Sequence, residues 1–166
     1  MSYGKMDSQN LAEEKSRTVD ILASVHVKAD PRRVLYALAT PEYMETWSTV
    51  PGADRIECYS ERRSYDSFRI DLFSSGIRGR SIHGSCFLSK PNRIIYILER
   101  DHARGGYRSI VDMHLSGGNS LSKLRLKHSG LFNSEEREWY SEMWNGSLHK
   151  LCELMEGSHQ GLNRIL

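Results

Sequence analysis

The amino-acid sequence predicts an α+β fold in which one strand, two short helices, six further strands and a long C-terminal helix follow one another. Three observations lead to this prediction. Apolar residues recur at every second position near the N-terminus and in several later segments, which is the period of half-buried strands. Prolines begin two short helical segments after the first of these strands. Near the C-terminus, apolar residues recur every three or four positions, the period of a helix with one buried face.

The first strand and the two short helices lie near the N-terminus. The strand is indicated by apolar residues that alternate with mostly polar neighbours, namely Val19, Ile21, Ala23, Val25 and Val27. Asp30 can cap a helix that begins at Pro31, because its side chain can accept a hydrogen bond from the first turn. Thr40 and Pro41 repeat this signal and predict a second helix over 41–47.

Six strands are predicted after a break in the pattern at 48–54. They cover residues 56–59, 68–72, 77–88, 93–100, 107–115 and 123–127. The clusters of turn-forming residues between them lie at 74–76, 91–92, 105–106 and 117–119. Because these connections are short, neighbouring strands are predicted to pair in antiparallel fashion, as in a meander.

The C-terminal helix has the clearest pattern. Asn133 or Ser134 can cap it, and the acidic residues of its first turns suit the positive end of the helix dipole. Its predicted buried face consists of residues spaced by three and four, namely Tyr140, Trp144, Leu148, Leu151 and Met155. Gly157 is predicted to end the helix.

Composition excludes several classes of function. The chain has 166 residues, enough for one domain, and its 23 basic and 21 acidic residues give a net charge of +2. This balance excludes the broad basic surface of a nucleic-acid-binding protein. The longest apolar run, 34–39, is too short for membrane insertion. The N-terminal segment lacks the apolar core of a signal peptide, so a cytoplasmic location is expected.

Neither a metal nor another cofactor is expected. Cys58, Cys86 and Cys152 are far apart in the sequence and form no CxxC pair. They are expected to be reduced and mostly buried thiols, because a sparse, odd set does not make a disulfide framework. The seven histidines show no ligand spacing such as HExxH.

Three segments resemble a known family, the activator of Hsp90 ATPase homologue-like family of the START/Bet v 1-like (SRPBCC) superfamily. They are VHVKADPRRVLYALATPEYMETW at 25–47, HGSCFLSKPNRIIYIL at 83–98 and LKHSGLFNSEEREWYSEMWNGSLHKLCELME at 126–156. The resemblance implies a helix-grip fold, in which a curved antiparallel sheet of seven strands wraps around the C-terminal helix. It covers about residues 17–157, which are expected to form one such domain. Residues 1–16 are polar and show no periodicity, so they are expected to be a flexible N-terminal tail, and residues 158–166 a C-terminal tail.

A curved sheet around a helix leaves a cavity, and strand alternation indicates which residues point towards it. The polar groups expected there are the Tyr96 hydroxyl and the tryptophan indole N–H groups. Four further positions are expected to point inward, namely Ile94, Val111, Leu124 and Leu126. The candidate ligand-binding residues are Trp47, Phe68, Ile70, Leu72, Ile82, Tyr96, Leu98, Met113, His128, Trp144 and Leu148. The alternative interpretation is that these side chains form an ordinary packed core.

Three functions are compatible with this pattern. The first is the binding of a hydrophobic small molecule, lipid-like, polyketide-like or aromatic, by a carrier or sensor. The second is a metal-free enzyme of the polyketide cyclase/aromatase kind, which needs an acid or base in the cavity. Only Tyr96 and His128 offer one, and no catalytic residue is assigned. The third is a protein-interaction module whose partner is a chaperone, another regulator or a second copy of the chain.

Polar clusters elsewhere are interpreted as surface features. Asp112 and His114 are two apart on one strand, but the apolar residues of that strand have the opposite parity. The pair is therefore predicted to be a surface ion pair. The basic residues at 78–80 and 123–127 are predicted to be solvated, because charges alternating with leucine are typical of half-exposed strands.

Overall fold

The computed structural model describes residues 20–60, 67–89, 91–99 and 108–162, and side chains up to residue 157. Within these residues, seven antiparallel strands form one curved sheet that packs against a long helix, so the predicted α+β helix-grip fold is confirmed. The elements are β1 Ile21–Val27, α1 Pro31–Ala39, α2 Pro41–Trp47, β2 Arg55–Ser60, β3 Ser67–Ser74, β4 Ile77–Ser89, β5 Arg93–Glu99, β6 Arg108–Gly117, β7 Ser122–Ser129 and α3 Ser134–Leu162. The predicted tail at 1–16 and the predicted turn at 105–106 lie outside the described residues.

The sheet has the strand order β1-β7-β6-β5-β4-β3-β2. From β2 to β7 each strand pairs with the next one in the sequence, as predicted for a meander. The connection from β1 to β2 is the exception, because it joins the two edges of the sheet. Helices α1 and α2 make this connection, and α1 contacts β4, β5 and β6 on the way.

The helix starts follow the predicted capping chemistry. The Arg32 backbone N–H donates to Asp30 Oδ1 at 2.7 Å, and Pro31 occupies the first turn of α1. At the start of α3, Asn133 is the cap, since the Glu136 backbone N–H donates to Asn133 Oδ1 at 2.9 Å. The Glu136 side chain in turn accepts from the Phe132 backbone N–H at 2.6 Å. The arrangement resembles a capping box, except that the Glu136 side chain accepts from the residue before the cap, and it fixes where the long helix begins.

The predicted end of the C-terminal helix is wrong. Helix α3 continues through Gly157 to Leu162. A glycine ends a helix when it adopts a positive φ, and Gly157 is not among the glycines that do so. With a helical φ, glycine only lowers helix propensity, by about 1 kcal/mol relative to alanine, and this does not stop the helix.

Leu72 packs against the core as predicted, but it is less buried than the other inward-facing residues of β3. Phe68 and Ile70 are buried as expected, but Asp71 is buried as well and Leu72 is half-buried at the edge of the core. The register of β3 against β4 shifts between Asp71 and Phe73. The extra residue of this β-bulge lies on β4, and Leu72 still pairs with the buried Ile56 on β2. Asp71 is buried because Ser81 and Arg78 of β4 donate to its carboxylate.

Candidate ligand-binding cavity

A small cavity lies between the sheet and helices α2 and α3. Side chains of α2, the segment after it, β3, β4, β5 and α3 line it. Its volume is about 40 Å³. This is room for about three waters, at about 10–15 Å³ each. The lining residues are Met44, Trp47, Ser48, Val50, Phe68, Ile70, Ile82, Tyr96, Leu98, Tyr140, Met143, Trp144 and Ser147.

Part of the candidate set predicted from the sequence lies around this cavity. The residues that line it are Trp47, Phe68, Ile70, Ile82, Tyr96, Leu98 and Trp144. The residues that do not are Leu72, Met113, His128 and Leu148. Helix α3 contacts β1 at one edge of the sheet, and the open space lies over β3, β4 and β5. Met113 on β6 and His128 on β7 are therefore packed in the core rather than exposed to the cavity.

Six lining residues are not among the candidate ligand-binding residues predicted from the sequence, namely Met44, Ser48, Val50, Tyr140, Met143 and Ser147. Tyr140 was placed on the buried face of α3 but not in the cavity. Met143 and Ser147 lie three and seven residues after it, so helical spacing alone is a usable signal for them. Nothing in the local sequence indicates Ser48 or Val50, because their position depends on how the segment after α2 folds back onto α3.

Two aromatic side chains of the wall bond to the end of α1. The Tyr96 hydroxyl donates to the Leu38 carbonyl oxygen, and Trp47 Nε1–H donates to the Ala37 carbonyl oxygen at 2.9 Å. Both carbonyls belong to the last turn of α1, where the backbone acceptors have no partner within the helix. Burial raises the pKa of the Tyr96 phenol well above its ordinary range. Tyr96 therefore stays neutral and serves as a fixed donor.

His128 is fully buried behind the cavity wall. Its Nδ1 accepts from Trp144 Nε1–H at 3.0 Å, and its Nε2 lies 2.9 Å from Ser109 Oγ. Because Nδ1 is an acceptor, the neutral ring carries its proton on Nε2 and donates to Ser109. The Tyr140 ring packs edge-on against the imidazole, with the ring centroids 4.5 Å apart. His128 thus holds Trp144 in the cavity wall and does not itself reach the cavity.

The segment after α2 is fastened to α3 at one side of the cavity. Ser147 Oγ accepts from the Thr49 backbone N–H at 2.9 Å and donates to the Thr49 carbonyl oxygen at 3.2 Å. The approach is so close that a Cβ on Gly146 would lie 2.4 Å from Thr49 Oγ1. A glycine at 146 is what allows the segment to contact the helix here.

The polar pair on β6 points away from the cavity. Arg93 binds Asp112 through two hydrogen bonds of 2.8 and 2.7 Å, and His114 Nε2 lies 3.3 Å from Asp112 Oδ1. The bond from Arg93 lowers the pKa of Asp112. His114 is exposed. The predicted surface ion pair is confirmed, with Arg93 as an additional member.

The cysteines are free thiols, and Cys58 and Cys86 are buried. Burial raises the pKa of Cys58 to about 12, so this thiol stays protonated. In the described part of the chain, no group of three or more His, Cys, Asp or Glu side chains is arranged to hold a metal ion. The same part of the chain contains no helix that is long and apolar enough to cross a membrane.

The sequence matches no protein-family model and no curated protein. Solved structures do match. A START superfamily protein from Mycobacterium smegmatis is 14% identical, with a TM-score of 0.63 over 83% of this chain and 97% of that one. The Aha1 dimer from Colwellia psychrerythraea is 17% identical, with a TM-score of 0.59 over 83% and 96%. The di-domain ARO/CYC StfQ from the steffimycin biosynthetic pathway is 13% identical, with a TM-score of 0.63 over 95% and 63%.

At these identities the likeness establishes the fold. The chain has the START/Bet v 1-like helix-grip fold, which the resemblance of its three segments implied. Because one fold hosts many functions, the function has to be argued from the cavity and the surface of this chain.

Proposed function

We propose that this protein binds a small hydrophobic molecule in the cavity between the sheet and α3, as a carrier or sensor. The observation that carries the proposal is the chemistry of the wall. Among the lining residues none carries a charged group, and nine have aliphatic, thioether or phenyl side chains or are tryptophans. A concave apolar site with few polar groups is typical of small-molecule binding.

The cavity is small, so binding requires its wall to adjust. Met44 and Met143 line it from α2 and α3. Methionine side chains are unbranched and flexible, and they change conformation at low cost. The molecule that binds is therefore expected to be little larger than one ring or a short alkyl chain, admitted when these two side chains rotate.

The first experiment tests binding with p-xylene. We expect a Kd below about 1 mM, which corresponds to about −4 kcal/mol. In NMR spectra the indole N–H signals of Trp47 and Trp144 should shift on titration. The signal of Trp139 serves as an internal control, because this residue does not line the cavity.

Replacing leucine by phenylalanine at two positions shows whether the space is a binding cavity or part of a packed core. Leu98 lines the cavity and Leu148 does not, although both are buried. Leu98→Phe should abolish p-xylene binding with little loss of stability, because space is available. Leu148→Phe should lower the free energy of unfolding by about 1–3 kcal/mol through overpacking. It should retain binding. If p-xylene does not bind the unmodified protein, the proposal is wrong.

The enzyme alternative has less support. A cyclase needs an acid or base at the reacting atoms. Among the lining residues the titratable groups are the phenols of Tyr96 and Tyr140. The Tyr96 hydroxyl is bonded to the Leu38 carbonyl and has a raised pKa. His128 is held behind the wall by Trp144 and Ser109.

A second candidate function is association with another protein, and one surface favours it. Apolar side chains of three neighbouring strands lie on the outer face of the sheet. Phe87 pairs with Ile95, and Ile97 pairs with Ile110, across β4, β5 and β6. Phe87 and Ile110 are exposed, and the other two are half-buried. We call these four residues the outer patch; adjacent apolar side chains of this kind are typical of interaction sites.

Self-association through the outer patch can be measured by light scattering. If a second copy of the chain covers the patch, the protein should be a dimer at high concentration and Ile110→Lys should make it a monomer. Leu121→Lys is the control, because Leu121 is similarly exposed but lies outside the patch. A protein that is monomeric at all concentrations contradicts self-association.

A further inference from the structure

The polar groups of the cavity wall point to a narrower class of ligand. We infer that the buried part of the ligand carries no hydrogen-bond acceptor, so that it is a hydrocarbon group such as an alkyl chain or an unsubstituted ring. This inference rests on the proposed function and concerns the same cavity. It excludes ligands that bury a carbonyl or carboxylate group, among them polyketide chains.

Four donors of the wall already have acceptors within the protein. Each is a hydroxyl or an indole N–H of a lining residue. The bonds join Tyr96 to the Leu38 carbonyl, Trp47 to the Ala37 carbonyl, Trp144 to His128 and Ser147 to the Thr49 carbonyl. Three of these donors, those of Tyr96, Trp47 and Trp144, are on residues that are at most 3% exposed.

These bonds cannot be exchanged for bonds to a ligand without loss. If a ligand carbonyl took the donor of Tyr96 or Trp47, a buried carbonyl oxygen at the end of α1 would lose its partner. If the ligand carbonyl took the donor of Trp144, Nδ1 of the buried His128 ring would lose its hydrogen-bond partner. Leaving a buried polar group unpaired costs more than a new hydrogen bond contributes. The wall therefore recognises shape and apolar surface.

The Ser48 hydroxyl is a further donor, at the edge of the cavity. Ser48 lines the cavity and is half-buried, and its hydroxyl makes no hydrogen bond to the described residues. Its backbone N–H donates to the Met44 carbonyl oxygen, which fixes the position of the residue at the end of α2. A ligand acceptor can therefore be satisfied beside Ser48, while the apolar body fills the interior.

The test uses two molecules of the same shape and the Ser48→Ala variant, which lacks the donor at the edge of the cavity. α-Methylstyrene and acetophenone differ in one group, a methylene in the first and a carbonyl oxygen in the second. We expect α-methylstyrene to bind about 5- to 100-fold more tightly, which is the penalty for one unpaired buried acceptor. NMR titration of the Trp47 and Trp144 indole signals measures both affinities on the full chain.

A further variant adds a hydrogen-bond donor to the interior of the cavity wall. Met143→Gln places an amide N–H₂ in the wall, whereas Met143→Leu keeps the position apolar and controls for the change of shape. Met143→Gln should reduce the preference for α-methylstyrene at least about fivefold, and Met143→Leu should leave it unchanged. If Met143→Gln does not fold, Val50→Thr, with Val50→Ala as its control, gives the same comparison at a lining residue in the segment after α2.

The outcomes separate the inference from the proposed function. If neither molecule binds, the proposed function is wrong. If both bind Ser48→Ala and acetophenone binds equally well or better, the cavity binds ligands but the inference is overturned. A preference for α-methylstyrene that Met143→Gln reduces and Met143→Leu retains supports the inference.

Discussion

Replacing His128 by leucine should lower the free energy of unfolding by about 2–4 kcal/mol. The side chain is fully buried and bonded at both ring nitrogens, to Trp144 and to Ser109. Leucine fills much of the space but bonds to neither. Two buried polar groups then lose their partner, and each such loss costs about 1–3 kcal/mol. Chemical denaturation monitored by circular dichroism measures the change.

A double-mutant cycle shows how much of this loss comes from the bond to Trp144. In His128→Leu with Trp144→Phe, the indole donor is removed together with its acceptor. We expect the double variant to be more stable than the sum of the single changes predicts, by about 0.5–3 kcal/mol. His26→Leu is the matched control, because His26 is exposed on β1 and its replacement should change stability by less than about 0.5 kcal/mol. Strict additivity would show that the bond between the two side chains has no energetic role.

The second large effect is expected at Gly84. Gly84→Ala should lower the free energy of unfolding by about 1–3 kcal/mol, because the added methyl group overpacks the core. Gly84 pairs with Phe68 on β3 and with Leu98 on β5, so it lies between two residues of the cavity wall. A Cβ at this position would lie 2.6 Å from Phe68 Cζ and 2.8 Å from the Ile97 carbonyl oxygen. The second of these atoms belongs to the backbone of β5, which cannot move without disturbing the sheet.

Gly79→Ala on the same strand provides the control. A Cβ there meets its nearest atom, the Leu72 carbonyl oxygen, at 3.7 Å, an ordinary contact. This variant should be neutral or slightly stabilised, because alanine reduces the freedom of the unfolded chain. Gly84→Ala should also weaken p-xylene binding, since the Phe68 ring has to move. Equal stabilities of the two variants would contradict the role of Gly84 as space for that ring.

The positions of the elements could be predicted because the signals that define them are local. Asp30 caps α1 as expected, and the alternation in β5 and β7 correctly indicated which side chains are buried. These features depend on the spacing of a few consecutive residues. The prediction failed where a local signal is permissive: Gly157 permits a helix to end but does not require it, and α3 continues.

The lining of the cavity could be predicted only in part. Phe68 and Tyr96 were identified because they lie on the inner face of strands over which the sheet and α3 diverge. Met113 and Leu148 share the same pattern of spacing but are packed in the core. No periodicity distinguishes the two groups, because the distance between sheet and helix at each point depends on the curvature of the whole sheet.

The sequence by itself determined the order of elements, the antiparallel meander and the inner face of most strands, since alternation, capping and turn chemistry act between neighbours in the chain. The tertiary structure decided which polar groups find partners. Trp144 meets His128 and Tyr96 meets Leu38 across different elements. These pairings arise only when elements distant in sequence pack together, and burial then makes each hydrogen bond obligatory. That packing pairs the donors of Tyr96, Trp47, Trp144 and Ser147 within the protein.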